Sequence, residues 1–334
     1  MGFGRGVCLP EQQDGAHPSE PSHWEDFSGL PFLYDFSMRF ASFVLSVFLL
    51  TPALASAETR VVVLGTGTPI LDYQRAGAGI AVVYNGRAYL FDVGGGVVQR
   101  AIEANQRLGI EALNPTSIER VFFTHLHSDH MLDFPELAST LWWRRATQIH
   151  IWGPRGVSAM ADGMVAMMAA DTRIRNDGNQ PVVHPDFYKV MATEIDAGFV
   201  FEEGGIRIES FAVSHGAVKP AFGYKVTTPD KTIVISGDTT YSPKLVEMAR
   251  GADILFHEVI SESGLKDLDE FWQKYHSSSH TVSSDVARVA NETRPGLLVL
   301  YHVAFYGAPP DSALKEVQAL YKGKVVMASD LDIY

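Results

Sequence analysis

Cysteine is almost missing from this chain. Of its 334 residues only Cys8 is one, and it lies in a stretch expected to be removed. The remainder can form no disulfide and offers neither a thiol nucleophile nor a thiolate metal ligand. An oxidising compartment is therefore tolerated. Positive charge is scarce as well, with 27 Lys and Arg against 39 Asp and Glu. An acidic protein is a poor polyanion binder unless its charge is strongly asymmetric. Beyond the pair Arg144-Arg145, no basic run occurs after residue 57. Long apolar runs are missing too. Phe40 to Leu50 is too short to span a bilayer comfortably, and no other stretch is long and apolar enough. Nucleotide loops are also lacking. Gly65-Thr66-Gly67-Thr68-Pro69 has no third glycine at the dinucleotide spacing and no G-K-[ST].

What is present divides the chain in three. Met38-Arg39, the apolar run behind it and the small-residue end at Ala53 to Ala57 form a signal-peptide pattern over residues 38–57. Cleavage after Ala57 and export to the periplasm are expected, with no stable membrane insertion afterwards. Residues 1–37 are rich in Pro, Ser and acidic residues without periodicity, as an upstream extension before a start at Met38 would be. The first 57 residues hold two basic and six acidic side chains, so residues 58–334 carry 25 against 33, a net −8. These 277 residues suit one large α/β domain with a substantial core.

The β-branched run Arg60 to Leu64 is an expected strand, as are Ile80 to Tyr84, Ala88 to Asp92, Lys231 to Ser236 and Leu297 to Tyr301, while Ile206 to Val213 alternates apolar and polar residues as a half-buried strand. Asn85-Gly86 marks a hairpin. Helices are expected over Val97 to Leu108, Leu137 to Arg145 and Ser284 to Glu292. In the second of these, one of Trp142 and Trp143 is expected in the core, and the other is a candidate wall of a substrate pocket. Met160, Met164, Met167 and Met168 line one helical face, read as core or as the subunit contact of a homodimer.

The most informative stretch is Thr124-His125-Leu126-His127-Ser128-Asp129-His130, directly behind the short apolar run Arg120 to Phe123. Residues two apart in an extended segment point the same way. His125 and His127 can thus face one metal, while Asp129 and His130, where the chain turns, can face a second. Imidazole and carboxylate suit Zn²⁺, and Fe or Mn less selectively.

This motif resembles the metal motif of the metallo-β-lactamase superfamily. From about Arg60 to the C-terminus, the chain is similar to the ribonuclease Z/arylsulfatase-like branch. The resemblance implies an α/β fold, an αβ/βα four-layer sandwich of two mixed β-sheets flanked by helices. It implies that His215, before the Gly223-Tyr224 pair, completes the first metal's ligands with His125 and His127. Asp129, His130 and His302 would hold the second, and Asp238 with a hydroxide would bridge the two. Asp238 could alternatively cap the helix from Pro243. The resemblance also pairs Glu258 with His280 as proton donor, so His280, Glu258 and Asp129 are the implied catalytic residues. Asp92 would brace the metal loop. His150, His184, His257 and His276 are left out of the pattern.

Two divalent ions, Zn²⁺ first, lower the pKa of bound water to about 7. Two such ions, two carboxylates and a hydroxide leave about +1 at the centre, which welcomes an anionic ester. The acidity of the chain argues against nucleic acid. The function expected is therefore an exported hydrolase of small sulfate, phosphate or carboxylic esters. A ribonuclease Z-like phosphodiesterase is the alternative, although no basic tRNA-gripping arm is visible. A β-lactamase or lactonase, and a non-catalytic metal-binding protein, stand further off.

Overall fold

A computed structural model describes residues 58–334. The expected signal peptide (38–57) and the upstream extension (1–37) lie outside these residues. The strands form two mixed sheets. The first runs, in order, β1 (Arg60–Gly65), β2 (Gly79–Tyr84), β3 (Arg87–Phe91), β4 (Arg120–Phe122), β5 (His150–Gly153) and β6 (Met191–Glu194). The second comprises β7 (Val200–Glu203), β8 (Ile206–Ala212), β9 (Phe222–Thr227), β10 (Thr232–Ile235), β11 (Ile254–Ile260), β12 (Leu297–Ala304) and β13 (Val325–Met327), in reverse order across the sheet. Pairing is antiparallel from β1 to β3 and parallel from β3 to β6. Likewise, β7 to β10 are antiparallel and β10 to β13 parallel.

Both faces of the central strands are covered, which is why β1, β2, β11 and β12 read as continuous apolar runs. Along β1, Val61 and Val63 point between the sheets, while Val62 and Leu64 pack under the helices of the first half. Along β12, Val299 and Tyr301 fill the space between the sheets, and Leu298 and Leu300 meet the helices Pro243–Ala249, Ser283–Thr293 and Ser312–Leu320. The result is four layers, helix, sheet, sheet, helix, as the resemblance implied. Among the described residues, no helix is long and apolar enough to cross a membrane.

Several local expectations hold for identifiable reasons. Asn85 and Gly86 have φ of 50° and 73°, the left-handed pair that a two-residue hairpin needs. Met164 is buried in the core, with Met160 and Met168 packed against it, so most of the methionine face is interior.

One expected element changes. The helix over Leu137 to Arg145 is instead Phe134–Ser139 followed by a 3₁₀ turn, Trp142–Arg144, broken at Leu141 with φ 52°. The buried Arg145 guanidinium donates to the carbonyls of Pro115, Thr116, Ile118 and Leu137 at 2.7–3.2 Å. Satisfying four of the guanidinium's five N–H donors inside a core outweighs the local helical preference. The pair Arg144-Arg145 is thereby no basic patch. Trp142 and Trp143 are both buried, and Arg175 lies over the Trp143 ring. Among the described residues, neither lines the cavities beside the metal motif.

Candidate metal centre

The parallel strands β3, β4, β10, β11 and β12 end on one edge of the sandwich, where open α/β sheets bind ligands. Each carries a functional side chain there: Asp92 after β3, His125 after β4, Asp238 after β10, and Glu258 and His302 within the last turns of β11 and β12. The two halves of the metal motif separate as the chain turns. His125 and His127 precede the short helix Ser128–Met131, and Asp129 and His130 lie within it. The motif seats closely on its neighbours. Ala78 N–H and Val93 N–H donate to the carbonyls of Asp129 and His130 at 2.9 and 2.7 Å. A Cβ on Gly94 would overlap the Asp129 carbonyl.

His302 reaches the centre through a bulge. Opposite β11 the register runs Glu258 to Tyr301 and then Val259 to Val303, so His302 has no partner and takes φ 47°. An extra residue of this kind re-aims a side chain next to a functional site. The strand does not stop at Tyr301, as expected from sequence, but continues to Ala304.

Ligand-capable atoms converge as two groups around Asp238. In the first, His127 Nδ1 lies 3.1 Å from both His125 Nε2 and His215 Nε2. In the second, Asp129 Oδ2 lies 3.0 Å from His302 Nε2 and 3.6 Å from His130 Nε2. Asp238 Oδ2 stands between them, 3.9 Å from His125, 3.8 Å from His215 and 3.5 Å from His130, with Oδ1 3.7 Å from His302 Nδ1. Zn–N bonds of about 2.0–2.1 Å in a tetrahedron put ligand atoms roughly 3.3–3.4 Å apart, close to these spacings. The helix from Pro243 is capped by the Ser242 side chain, which leaves Asp238 free of that alternative duty.

The donor set fits cations on two further grounds. First, buried Asp129 Oδ1, His130 Nε2, Asp238 Oδ1 and His302 Nδ1 have no hydrogen-bond partner among the described residues. Buried polar atoms are rarely left so. Second, the far nitrogens are held. His130 Nδ1 pairs with Asp92 at 2.9 Å, His215 Nδ1 with the Ser279 carbonyl at 2.7 Å, and His125 Nδ1 with Thr124 Oγ1 at 3.0 Å. Such outer partners fix ring orientation and tautomer at metal sites. Burial holds His125 well below the ordinary imidazole value and lowers His127 and His215, keeping lone pairs for a metal. For His130, burial opposes charge but Asp238 and Asp92 outweigh it. A cation held by His130 would displace that proton.

His280 stands at the open side, with Nδ1 3.4 Å from Glu258 Oε1 and 3.8 Å from Asp238 Oδ2. Glu258 Oε1 is fixed by the Thr239 and Thr281 backbone N–H groups at 3.2 and 2.9 Å. Burial pulls the His280 imidazole down, but Glu258 and then Asp238 lift it to about 9. All nine nominated residues thus share one cluster. Among the described residues, the other four histidines do not join it as ligands. His150 bonds Thr193 and stacks on Trp152, His184 stacks on Phe187, and His257 is buried against the Glu258 carbonyl.

Sequence reasoning missed the mouth of the site. A cavity of about 360 Å³ beside Asp129 is lined by the Thr68–Tyr73 loop and Leu132. Sharing that loop is a second cavity of about 460 Å³, walled by Trp272, Tyr275, His276 and Tyr306. The signal was the aromatic spacing of Phe271-Trp272 and Tyr275-His276 on a helix, Glu270–Ser277, which has no buried stripe to announce it.

A family model described as the beta-lactamase superfamily domain matches residues 87–303. Ribonuclease Z of Mycobacterium sp. (strain KMS) is 32% identical over 257 residues, covering 73% of this chain and 83% of that protein. Among solved structures, the metallo-beta-lactamase fold protein YhfI from Bacillus subtilis superposes with a TM-score of 0.62 at 18% identity, covering 83% of this chain and 98% of that one. The short form of human tRNase Z gives 0.59 at 22%, covering 82% and 98%. These two likenesses show a shared fold.

Proposed function

The chain belongs to the metallo-β-lactamase superfamily, in its ribonuclease Z branch, and from that premise we propose that it is a dinuclear-metal phosphodiesterase acting on small diesters. The hydrolase class follows from the family. The observation that carries the finer reading is Asp238, whose two oxygens stand between both ligand groups, with His280 and Glu258 beside it. The relatives' name, ribonuclease Z, favours a phosphodiester over the sulfate and carboxylic esters that the residues alone left equal.

His125, His127 and His215 would hold one ion, Asp129, His130 and His302 the other, and Asp238 both. When bound, the ions supply a water acidic enough to be a nucleophile at neutral pH and positive charge against the phosphoryl oxygens. The protein's own part is positioning and proton transfer. With Nδ1 turned to Glu258 and Asp238, His280 has Nε2 left for substrate. Water oxygen adds at phosphorus as one of its protons passes to solvent, and the P–O bond to the alcohol breaks with its electron pair on the alcohol oxygen. His280 gives that oxygen its proton, and the products are a phosphomonoester and an alcohol.

Small substrates are favoured by charge. Among the described residues lining the two cavities at the mouth, Arg75 is the one Lys or Arg. Its guanidinium is spent on the carbonyls of Thr66 and Val303. A long polyanion would find no phosphate grip there. The signal-like residues 38–57 support action in the periplasm. A second reading, processing of a structured RNA, rests on the 32% identity to ribonuclease Z.

Turnover of bis(p-nitrophenyl) phosphate, p-nitrophenyl sulfate, p-nitrophenyl acetate and a precursor tRNA separates these. Dominant, chelator-sensitive diester hydrolysis is expected. Dominant sulfate or acetate hydrolysis would refute the phosphodiester assignment. Cleavage of the tRNA without turnover of small diesters would replace the first reading by the second.

A further inference from the structure

We propose that Trp272, Tyr275, His276 and Tyr306 form a leaving-group subsite that takes an uncharged aromatic ring attached to the ester oxygen. The inference rests on the hydrolase reading above and extends it to the substrate.

The helix Glu270–Ser277 ends three residues before His280, and the His276 and His280 rings lie 6.1 Å apart. A general acid must stand at the oxygen that departs. Whatever that oxygen carries therefore extends along this helix. The cavity there, about 460 Å³, is bounded on its far side by Thr68, Pro69 and Ile70. Its size falls within the range of small-molecule sites.

The wall is also built rather than incidental. Tyr306 Oη and His276 Nδ1 share a hydrogen bond of 2.9 Å. Trp272 stacks on His276 with centroids 5.6 Å apart and 23° between planes, and meets Tyr275 edge-on at 5.7 Å. Yet Trp272 and Tyr275 remain 46% and 45% exposed, so aromatic faces that brace one another still present area to the cavity. Opposite them, Ile70 is 62% exposed. Large apolar side chains gathered on both walls beside a polar centre mark a binding surface. No Lys, Arg, Asp or Glu lines this cavity among the described residues. Burial, and then the neighbouring His280, hold the His276 imidazole below its ordinary value. A neutral aromatic slot beside a cationic centre suits an aryl ester, with the anionic phosphoryl group at the metals and the ring between Trp272 and Ile70.

The test uses Trp272→Ala and Trp272→Phe in the full, Zn²⁺-loaded chain, with two readouts. Calorimetry with 2-naphthol and with cyclohexanol measures the subsite without turnover. Aromatic contacts of this kind are worth about 0.5–1.5 kcal/mol, a loss of roughly 2- to 10-fold. Trp272→Ala is expected to weaken naphthol by that factor, Trp272→Phe to restore most of it, and cyclohexanol to bind feebly to all three. Kinetics on methyl p-nitrophenyl phosphate should show KM rising more than kcat falls in Trp272→Ala. Naphthol binding wild type and Trp272→Ala equally, or not binding at all, would overturn the subsite. Naphthol binding that depends on Trp272, with no diester hydrolysed, would leave the subsite standing and refute the phosphodiester reading instead.

Discussion

Asp92→Asn is the sharpest probe of how the fold sets up its second metal position. Asp92 is buried at the end of β3, with φ 60°. It accepts from Thr124 N–H and Thr124 Oγ1, both at 2.8 Å, and from His130 Nδ1 at 2.9 Å. Asparagine keeps the volume and one acceptor. Its amide nitrogen must then face either Thr124 N–H or His130 Nδ1–H, and each is a donor against a donor. Thr124 N–H cannot move its proton, so the conflict falls on His130. That imidazole escapes by carrying its proton on Nε2, the atom aimed at Asp129 and Asp238. A ligand held in the wrong tautomer offers no lone pair. Losing an outer partner of a ligating histidine costs about 10- to 100-fold in metal affinity, or about 1.4–2.7 kcal/mol. Titration of the apoprotein with Zn²⁺ by competition calorimetry resolves the two sites. The site of His125, His127 and His215 is expected to keep its affinity, and the other to weaken by that factor. Two sites of unchanged affinity would refute the tautomer argument. Equal weakening of both would mean a general distortion instead.

Two other outcomes follow from the same geometry. His280→Ala should lower kcat/KM by about 10²–10⁴ for diesters with poor leaving groups and far less for p-nitrophenol esters, which need no protonation; a uniform loss across leaving groups would remove His280 from the acid role. Away from the centre, Glu316 accepts from the hydroxyls of Ser283 and Ser263 at 2.6 and 2.7 Å and from two backbone N–H groups. Burial opposes its charge, but these donors outweigh burial and depress the carboxyl from 4.5 to about 2. A depressed acid stabilises the fold above its unfolded value and loses that contribution as pH falls. In urea melts, Glu316→Gln should therefore be less stable than wild type by about 1 kcal/mol at pH 7, solvent screening reducing the full charge-assisted value, with the gap closing between pH 4.5 and 2. A gap independent of pH would contradict the assignment.

The parts of the site readable in advance were those written contiguously or at strand ends. His125, His127, Asp129 and His130 fall within six residues, and the apolar runs before Asp92, Asp238 and His302 are continuous because both sheet faces are covered. The rest depended on tertiary contacts that leave no periodic trace. Arg145 ended its expected helix early by turning inward to four carbonyls contributed largely by a distant loop. His302 sits in a bulge defined by the register with β11. The helix bearing Trp272 and Tyr275 buries no residue, so core-seeking patterns pass over it. Its aromatics acquire meaning only beside His280. Trp142 and Trp143, which sequence made the candidates for such a wall, are consumed by packing.

The most direct test of the dinuclear hydrolase is elemental analysis of the purified protein, paired with diester turnover before and after chelation. Two divalent ions per chain are expected, with turnover abolished by the chelator and restored by Zn²⁺. One ion or none in protein that still hydrolyses the diester, or turnover indifferent to the chelator, would contradict it.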